Sequence, residues 1–282
     1  DVQRQLFEDT VAAYRKSLVL TRNRYAVGVA GKVDVAQAQA QLTSTQAQAI
    51  DLGVARAQLE HAIAILLGKA PAQFSLPRAS IAIGMRDIPP GLPSQLLERR
   101  PDIAAAERRV AAANAQIGVA KSAFFPDLTL SASGGFQSSS VANWISAPNR
   151  FWALGPALAQ SIFDAGLRSA LSEQAIAAYD ASVASYRQTV LGAFQEVEDN
   201  LAALRILGDE AKVQEDAVRA ARESVTLTTN QYKAGTVDFL SVVTVQATQL
   251  ANERATVVTY GQRLVAEVAL IKALGGGWQA PR

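Results

Sequence analysis

The chain has 282 residues, a formal net charge of +2, a single histidine and no cysteine. This length suffices for one large domain or two ordinary ones, and a near-neutral charge without a basic cluster predicts no nucleic-acid partner. The missing cysteines exclude disulfides and cysteine-based metal sites, and one histidine excludes multi-histidine metal sites.

Residues 1–67 are predicted to form a helical hairpin that turns near Gly28. The segment opens DVQRQLFEDTVAAYRKSLVL, which has no good N-cap and resembles the middle of a helix. It also lacks the basic and apolar regions of a signal peptide. We therefore expect that the natural chain begins upstream of Asp1. His61, late in the second helix, is expected to be a surface or packing residue rather than a metal ligand.

The segment between this hairpin and the next long helix is predicted to change structure several times. Residues 68–96 are rich in proline and glycine and are predicted to form an irregular belt segment. Residues 97–123 are predicted to form a helix, and Pro126 then ends the helical hydrogen-bond ladder. Residues 124–166 hold a predicted strand pair with a connecting loop.

Alternation with a period of two predicts the strand pair. In DLTLSASGGFQ the large apolar residues fall on one face, and FWALGPALAQSIF, residues 151–163, repeats the pattern as the return strand. Each strand has about the 9–11 residues that a tilted transmembrane strand needs. No stretch approaches ~20 apolar residues, so any membrane crossing would use β-strands. A hairpin packed on a helix in a soluble α+β protein is the alternative that alternation alone favours.

A second helical hairpin is predicted within residues 167–274. The first hairpin aligns without a gap with the segment 207 residues further along, which places Tyr25 opposite Tyr232 and Gly28 opposite Gly235. Similar composition alone would not keep these residues in register. Gly28 and Gly235 are therefore predicted to serve the two turns rather than to bind a ligand.

Long coiled-coil helices are predicted for this second hairpin. Apolar residues recur at every seventh position over 183–232 and again over 243–271. Gly192 and Gly208 are points at which the first helix could bend. An ordinary long coiled coil remains an alternative on periodicity alone, whereas small residues on the other faces favour a hollow helical wall. Residues 275–282 are predicted to form a C-terminal tail.

Three stretches resemble the outer membrane factor (TolC-like) family, efflux outer membrane lipoprotein (NodT-type) branch. They are GLPSQLLERRPDIAAAERRVAAANAQIGVAKSAFFPDLTLSASGGF, NQYKAGTVDFLSVV and LIKALGGGW, and the resemblance extends over essentially the whole chain. It implies a mainly α protein whose long coiled-coil helices form an α-barrel and whose strands belong to a transmembrane β-barrel, completed as a homotrimer. It also implies an equatorial belt containing residues 68–96 and 275–282, and a lipidated N-terminus and first strand pair that this chain lacks.

The resemblance implies a passive duct in the outer membrane of a Gram-negative bacterium, with a periplasmic extension. A periplasmic adaptor protein and an inner-membrane pump of the resistance-nodulation-division type would dock at the helical tips, and drugs or metals would leave through the duct. Outer-membrane lipid would be a further partner. No activated nucleophile, metal cluster or phosphate loop is visible, so we expect neither enzymatic activity nor a cofactor. A type I protein-secretion duct and a non-membrane coiled-coil scaffold are the alternatives.

In the family the constriction lies at the periplasmic tips of the helices. Carried over by position, Leu240 matches an apolar ring residue near the second tip, and Thr244 falls where many relatives have an aspartate. Asp238 and Asp34 are candidates to supply acidity instead, because copies of one carboxylate around a threefold axis would repel each other and attract cations. An exposed charge near a turn is the equally weighted alternative for each aspartate.

Two further groups of residues complete the predicted sites. Lys233 and Tyr232 are candidates for contact with the adaptor, with a solvated tip as the alternative. Phe124, Phe125 and Pro126 are predicted to form the joint between the helical wall and the strands, with both phenylalanines near the inner membrane–water boundary.

Overall fold

A computed structural model of the protein describes residues 1–79 and 100–276. It confirms the predicted fold class, because long α-helices dominate it and the strands of these residues form one antiparallel pair. The elements in chain order are α1 (Val2–Ala26), α2 (Lys32–Leu66), α3 (Pro101–Ser122), β1 (Asp127–Phe136), β2 (Arg150–Ala159), α4 (Leu167–Ala234) and α5 (Phe239–Ala273), with short 3₁₀ turns at Pro71–Gln73, Val141–Asn143 and Ala147–Asn149.

The chain divides into two compact units. Helix α4, with 68 residues, contributes to both, and it passes through Gly192 and Gly208 without a break. Glycine costs only about 1 kcal/mol relative to alanine inside a helix, which a helix of this length tolerates. Unit 1 comprises Asp1–Pro89 and Glu198–Lys272, and unit 2 comprises Pro90–Val197 and Ala273–Arg282.

The core of unit 1 lies between its two helical hairpins, α1–α2 and α4–α5. The predicted heptad row of α5 is only half-buried, and the fully buried Phe239, Val242 and Leu270 lie beside it. The buried residues of α5 therefore do not follow the heptad row that a coiled coil of two helices would bury. The reason is that α5 contacts the first hairpin as well as α4. The buried cluster contains Tyr14, Leu18, Ala38 and Leu42 from the first hairpin and Tyr232, Phe239 and Val242 from the second.

The strand pair lies in unit 2, and Asp127 is opposite Ala159 at its open end. The return strand is shorter than the predicted 151–163, since β2 ends at Ala159. Pro126 comes immediately before β1 and has no N–H to donate. Residues beyond Ala159 therefore lack a strand partner that could extend the hydrogen-bonded ladder. Ile162 and Phe163 therefore follow the strand and are exposed.

Parts of three predicted segments lie outside the described residues: 80–96 of the belt, 97–99 of the helix that follows it, and 277–282 of the tail. Among the helices at 1–79 and 100–276, none combines the length and the apolar character needed to cross a membrane.

Candidate functional site

The two hairpin turns, with the helical residues on either side, are built alike; we call residues 24–35 and 231–244 the tip. Each first helix ends in a Schellman motif, in which two successive amides return to carbonyls of the last helical turn. The glycines at the turns have φ of +76° and +80°, a region that glycine adopts without strain. The bonds run from Gly28 to Tyr25 and from Val29 to Arg24 in the first turn, and from Gly235 to Tyr232 and from Thr236 to Gln231 in the second.

Both aspartates of the tip cap the beginning of a helix. The Asp34 carboxylate accepts from the Gly31 amide at 3.0 Å, at the beginning of α2. Asp238 precedes α5 and accepts from the amide and the hydroxyl of Ser241 at 3.0 and 2.6 Å. The bond from the Ser241 hydroxyl, followed by that from the amide, lowers the pKa of the Asp238 carboxyl. This carboxylate is therefore ionised at neutral pH and faces the positive end of a helix dipole.

Leu240 and Thr244, the predicted gate residues, lie one turn apart on α5 and are both exposed. The Thr244 hydroxyl donates to the Leu240 carbonyl at 2.9 Å, so it is satisfied within its own helix. The Leu240 side chain is 53% exposed. This part of α5 thus presents an apolar side chain followed by a neutral polar one, and the carboxylate next to them in the sequence is that of Asp238. A role in a pore stays a prediction for all three residues.

Arg24, which no sequence pattern had singled out, connects the two hairpins at the tip. Its guanidinium donates to the Lys233 carbonyl at 2.8 Å and lies 4.7 Å from the centre of the Tyr232 ring. That ring meets Phe239 edge-on, with 5.4 Å between the ring centres. A cation–π contact contributes ~0.5–2 kcal/mol, and a hydrogen bond from a charged donor adds to it. The partners of Arg24 are 209 residues away along the chain, so local patterns carry no signal for this contact.

Tyr232 and Lys233, the candidate adaptor contacts, differ in accessibility. Tyr232 is only 3% exposed, because Arg24 and Phe239 cover its ring, whereas the Lys233 side chain is exposed. Lys233 is thus the one of this pair whose side chain can reach a partner in this conformation. The Tyr232 hydroxyl and the Arg24 Nε are buried and have no hydrogen-bond partner within residues 1–79 and 100–276. Each such atom costs ~1–3 kcal/mol, which offsets part of what the Arg24 contact contributes.

Arg168 contacts both segments that join the strand pair to the helices, through Asp164 and Phe124. Its guanidinium pairs with Asp164 at 2.6 Å and lies 5.4 Å from the centre of the Phe124 ring. Asp164 also accepts backbone amides at the beginning of α4, and the bond from the Arg168 side chain is the main cause of its lowered pKa. Phe124 thus contacts Arg168 at the joint although it is 45% exposed, and Phe125 is 71% exposed. Pro126 lies between α3 and β1.

The strand pair has one large apolar face and one face of small or polar residues. Residues that lie directly opposite each other share a face. Leu128 lies opposite Leu158 and Ala132 opposite Leu154 on the first face, whereas Ser131 lies opposite Gly155 on the second. The leucines of the first face are exposed. A contiguous apolar surface of this kind marks a surface that contacts other molecules.

Arg100 contacts three separate segments of unit 2, and the sequence analysis does not name it as an individual site residue. Its side chain is 10% exposed. It donates hydrogen bonds to Asp102 at 3.1 and 2.7 Å, to Glu196 at 2.8 Å and to the Ala273 carbonyl at 3.1 Å. These contacts join the beginning of α3 to α4 and to the end of α5. The hydrogen bond between Arg100 and Asp102 is the main cause of the raised pKa of Arg100 and of the lowered pKa of Asp102. The signal in the sequence was the run ERRPDI, which places a charged pair around a helix-starting proline.

His61 lies exposed on α2. Over the described ranges, no group of three or more metal-binding side chains comes together.

Known proteins are similar to this chain over nearly its whole length. Residues 1–69 and 92–276 match the family model described as outer membrane efflux protein. The chain is 35% identical over 275 residues to the antibiotic efflux pump outer membrane protein ArpC of Pseudomonas putida, which covers 97% of this chain and 57% of that protein. It is 34% identical, with the same coverage, to the toluene efflux pump outer membrane protein TtgC of Pseudomonas putida. The chain thus spans less than two thirds of these relatives.

A solved structure of a membrane protein is also similar to this chain. The crystal structure of a membrane protein from Pseudomonas aeruginosa matches with a TM-score of 0.90 at 35% identity, over 98% of this chain and 62% of that one.

Proposed function

Because the chain belongs to the outer membrane efflux protein family, we propose that it acts in the outer-membrane duct of a tripartite efflux system. In this role it is a passive conduit that receives small molecules from a periplasmic adaptor protein and an inner-membrane pump. The observation that carries the proposal is the exposed apolar face of β1–β2, which is joined through Phe124–Pro126 to α3 and through Asp164–Arg168 to α4.

The apolar face supports contact with outer-membrane lipid. Leu128, Leu130 and Leu158 each leave most of their side-chain surface exposed. Removing a leucine side chain from water contributes about 1.5–3 kcal/mol, so several of them in a row favour an apolar surrounding strongly. The opposite face, with Ser131 and Gly155, suits an aqueous interior.

The edges of the sheet support an assembly of several copies. A two-stranded sheet leaves a row of unpaired backbone groups on each outer edge, and an isolated hairpin is marginally stable. Inside a membrane such groups have to be paired. Strands from other segments and from other copies would satisfy them, which agrees with the homotrimer that the family resemblance implies.

The family to which the chain belongs supports conduction rather than chemistry. The family is one of channel proteins, and we propose that this chain has no enzymatic activity. Energy would come from the pump, of the resistance-nodulation-division type, and Asp238, Leu240 and Lys233 would act at the tip, the first two at the constriction and Lys233 toward the adaptor.

We propose small molecules such as drugs or metals as the cargo. Two relatives are named for antibiotic and toluene efflux. These names favour small-molecule efflux over the alternative of a protein-secretion duct.

Deletion of the gene followed by complementation tests this function. The deletion strain should become sensitive to antibiotics, solvents or metal salts, and the protein should fractionate with the outer membrane. Leu128→Asp should fail to restore tolerance, whereas the matched Ser131→Asp, on the opposite face, should restore it. Unchanged tolerance in the deletion strain, together with loss of a secreted protein, would point to the secretion duct instead.

A further inference from the structure

The charges of the strand pair and its connections are distributed unevenly. Residues 124–166 contain three charged side chains, and two of them, Asp127 and Asp164, lie at the end that joins the helices. The third is Arg150, which begins β2 at the opposite end, beside the loop. Asp164 is paired with Arg168, and Asp127 lies at the far end of the register from Arg150. Arg150 therefore has no counter-charge within its own strand pair.

The register places Arg150 on the large apolar face of the strand pair. It lies opposite Phe136, and the alternation of faces puts both residues on the same side as Trp152, Leu128 and Leu158. The Arg150 side chain is exposed, and its guanidinium pairs with no group in the described part of the chain. One unpaired positive charge thus lies at the loop end of a face that is otherwise apolar.

The position of Arg150 along the strand matches the boundary of a membrane rather than its middle. Phe136 is eight residues after Leu128, which corresponds to about 26 Å along the strand at about 3.3 Å per residue. A strand tilt of about 40° reduces this to about 20 Å of height, close to the apolar band of about 25 Å that such barrels present to lipid. At this level an arginine can bury its apolar stem and extend its guanidinium among lipid headgroups.

Aromatic side chains surround Arg150 at the same level. Trp152 is exposed two residues further along β2, and Phe136 is opposite Arg150. The Trp144 indole, in the loop, donates to the Phe136 carbonyl at 2.9 Å. The indole N–H of Trp152, in contrast, has no acceptor among residues 1–79 and 100–276. Rings of this kind are typical of a membrane–water boundary, where their polar edge contacts headgroups.

We propose that Arg150, with Trp152 beside it, binds the phosphate group of a lipid in the outer leaflet of the outer membrane. The inference rests on the proposed membrane-spanning duct, because that role places the loop end of the strand pair at the outer leaflet. Arginine suits this ligand, since its planar guanidinium donates two parallel hydrogen bonds to two phosphate oxygens.

The apolar face identifies the source of the phosphate as a lipid. Below Arg150 the face continues through Leu154 and Leu158, which are exposed. A lipid fills both parts of this surface, because its acyl chains contact the leucines while its headgroup meets the guanidinium. Inorganic phosphate would fill only the upper part. A carboxylate from another strand would also neutralise the guanidinium, so the experiment has to separate these cases.

Native mass spectrometry tests the site on the protein as its gene encodes it, purified in a neutral detergent and freed of lipid. The probe is lipid A with both of its phosphates, and the same glycolipid without phosphate is the comparison. Wild type should bind the phosphorylated form about tenfold more tightly, and Arg150→Gln should remove this preference. Arg150→Lys keeps the charge without the paired geometry and should fall between the two.

The matched control moves the same charge to the other face. Gln137 lies next to Phe136, and its amide donates to the Asn149 carbonyl at 2.8 Å, which continues the ladder by one position. Gln137 and Arg150 therefore lie at almost the same level on opposite faces. The double variant Arg150→Gln with Gln137→Arg keeps the net charge, and it should bind phosphorylated lipid A as weakly as Arg150→Gln alone.

Three results would overturn the lipid site. The first is equal binding of phosphorylated lipid A by wild type, Arg150→Gln and the double variant. The second is displacement of the lipid by inorganic phosphate at the same phosphate concentration. The third is loss of the assembled oligomer in Arg150→Gln with unchanged lipid binding per copy, which would assign the guanidinium to a carboxylate of another strand.

Failure of this inference is distinguishable from failure of the proposed function. A wild-type protein that does not reach the outer membrane would contradict the proposed function. A protein that reaches the outer membrane and binds lipid A without dependence on Arg150 would contradict the lipid site alone.

Discussion

Asp34 and Asp238 cap the second helices of the two repeated hairpins from exchanged positions. Asp34 reaches back from the helix to the amide of Gly31. Asp238 stands at the position equivalent to Gly31 and accepts from Ser241, which is the residue equivalent to Asp34. Each of the two helices therefore begins with one capping carboxylate, although the carboxylate comes from a different position of the repeat.

The Asp238 cap predicts a pH-dependent stability of α5. Hydrogen bonds from the Ser241 hydroxyl and amide lower the pKa of the folded carboxyl. Because the folded pKa lies below the unfolded value of about 3.9, the ionised group stabilises the fold above that value, and this contribution is lost as the pH falls through the folded pKa. The difference in melting temperature between wild type and Asp238→Asn should be constant from about pH 5 to 8 and shrink below about pH 4.

Asp238→Ala separates the cap from the charge. It removes the hydrogen bonds entirely, so amide exchange at the beginning of α5 should accelerate at every pH, while Asp238→Asn, which still accepts them, should remain close to wild type at low pH. Equal exchange in Asp238→Ala and wild type would show that Asp238 does not cap the helix.

The elements with local signals could be predicted from the sequence. The turns at Gly28 and Gly235 need a residue that tolerates positive φ, and the change from helix to strand at Pro126 needs a residue without an N–H. The end of β2 could not be predicted in this way, because the alternation continues to Ile162 whereas the hydrogen-bonded ladder ends at Ala159.

The arginine contacts could not be predicted in the same way. Arg24 meets Lys233 across 209 residues, and the repeat itself gave no hint, because its counterpart is Gln231. The sequence predicts Tyr232 as a contact for the adaptor, which needs an accessible side chain. Its burial depends on Arg24, a residue that arrives from the other hairpin.

Arg100→Ala should destabilise the protein by about 2 kcal/mol, because it leaves Asp102, Glu196 and the Ala273 carbonyl without their shared donor. The value stays below that for a fully buried pair because both carboxylates remain about half exposed. Arg100→Lys keeps the charge but loses the paired bond to Asp102, so it should recover only part of the loss. Chemical denaturation followed by circular dichroism measures both.

Arg108→Ala is the matched control, because Arg108 lies on α3, the helix that begins directly after Arg100. Arg108 pairs with Glu107 only at 3.7 Å, and both side chains are exposed. Its removal should change the free energy of unfolding by less than about 0.5 kcal/mol. Equal losses for Arg108→Ala and Arg100→Ala would contradict the role of Arg100 as a tie between helices.

Substitution of two glycines by alanine should have opposite effects. Gly235 has φ of +80°, so Gly235→Ala should cost about 1–2 kcal/mol from the backbone alone. The added methyl group would meet the Arg24 guanidinium at an ordinary 3.8 Å, so no clash contributes. Gly53 lies inside α2 with open space around it, and Gly53→Ala should stabilise the helix by about 0.5–1 kcal/mol. Thermal unfolding measures the stability of both variants. A similar loss of stability in Gly235→Ala and Gly53→Ala would contradict the expected opposite effects.

The strand pair predicts an alternating pattern of chemical labelling. The chain has no cysteine, so single cysteines can be introduced one at a time. Leu128→Cys and Leu130→Cys lie on the large apolar face, and Thr129→Cys and Ser131→Cys lie on the other. In outer-membrane vesicles a water-soluble maleimide should label the first pair roughly tenfold more slowly than the second, because a thiol in lipid does not form the reactive thiolate. In detergent-denatured protein all four should react at the same rate, which shows that any difference comes from the surroundings of the strand. Equal labelling of all four in vesicles would instead place both faces in water, and the hairpin would then be a surface feature of a scaffold.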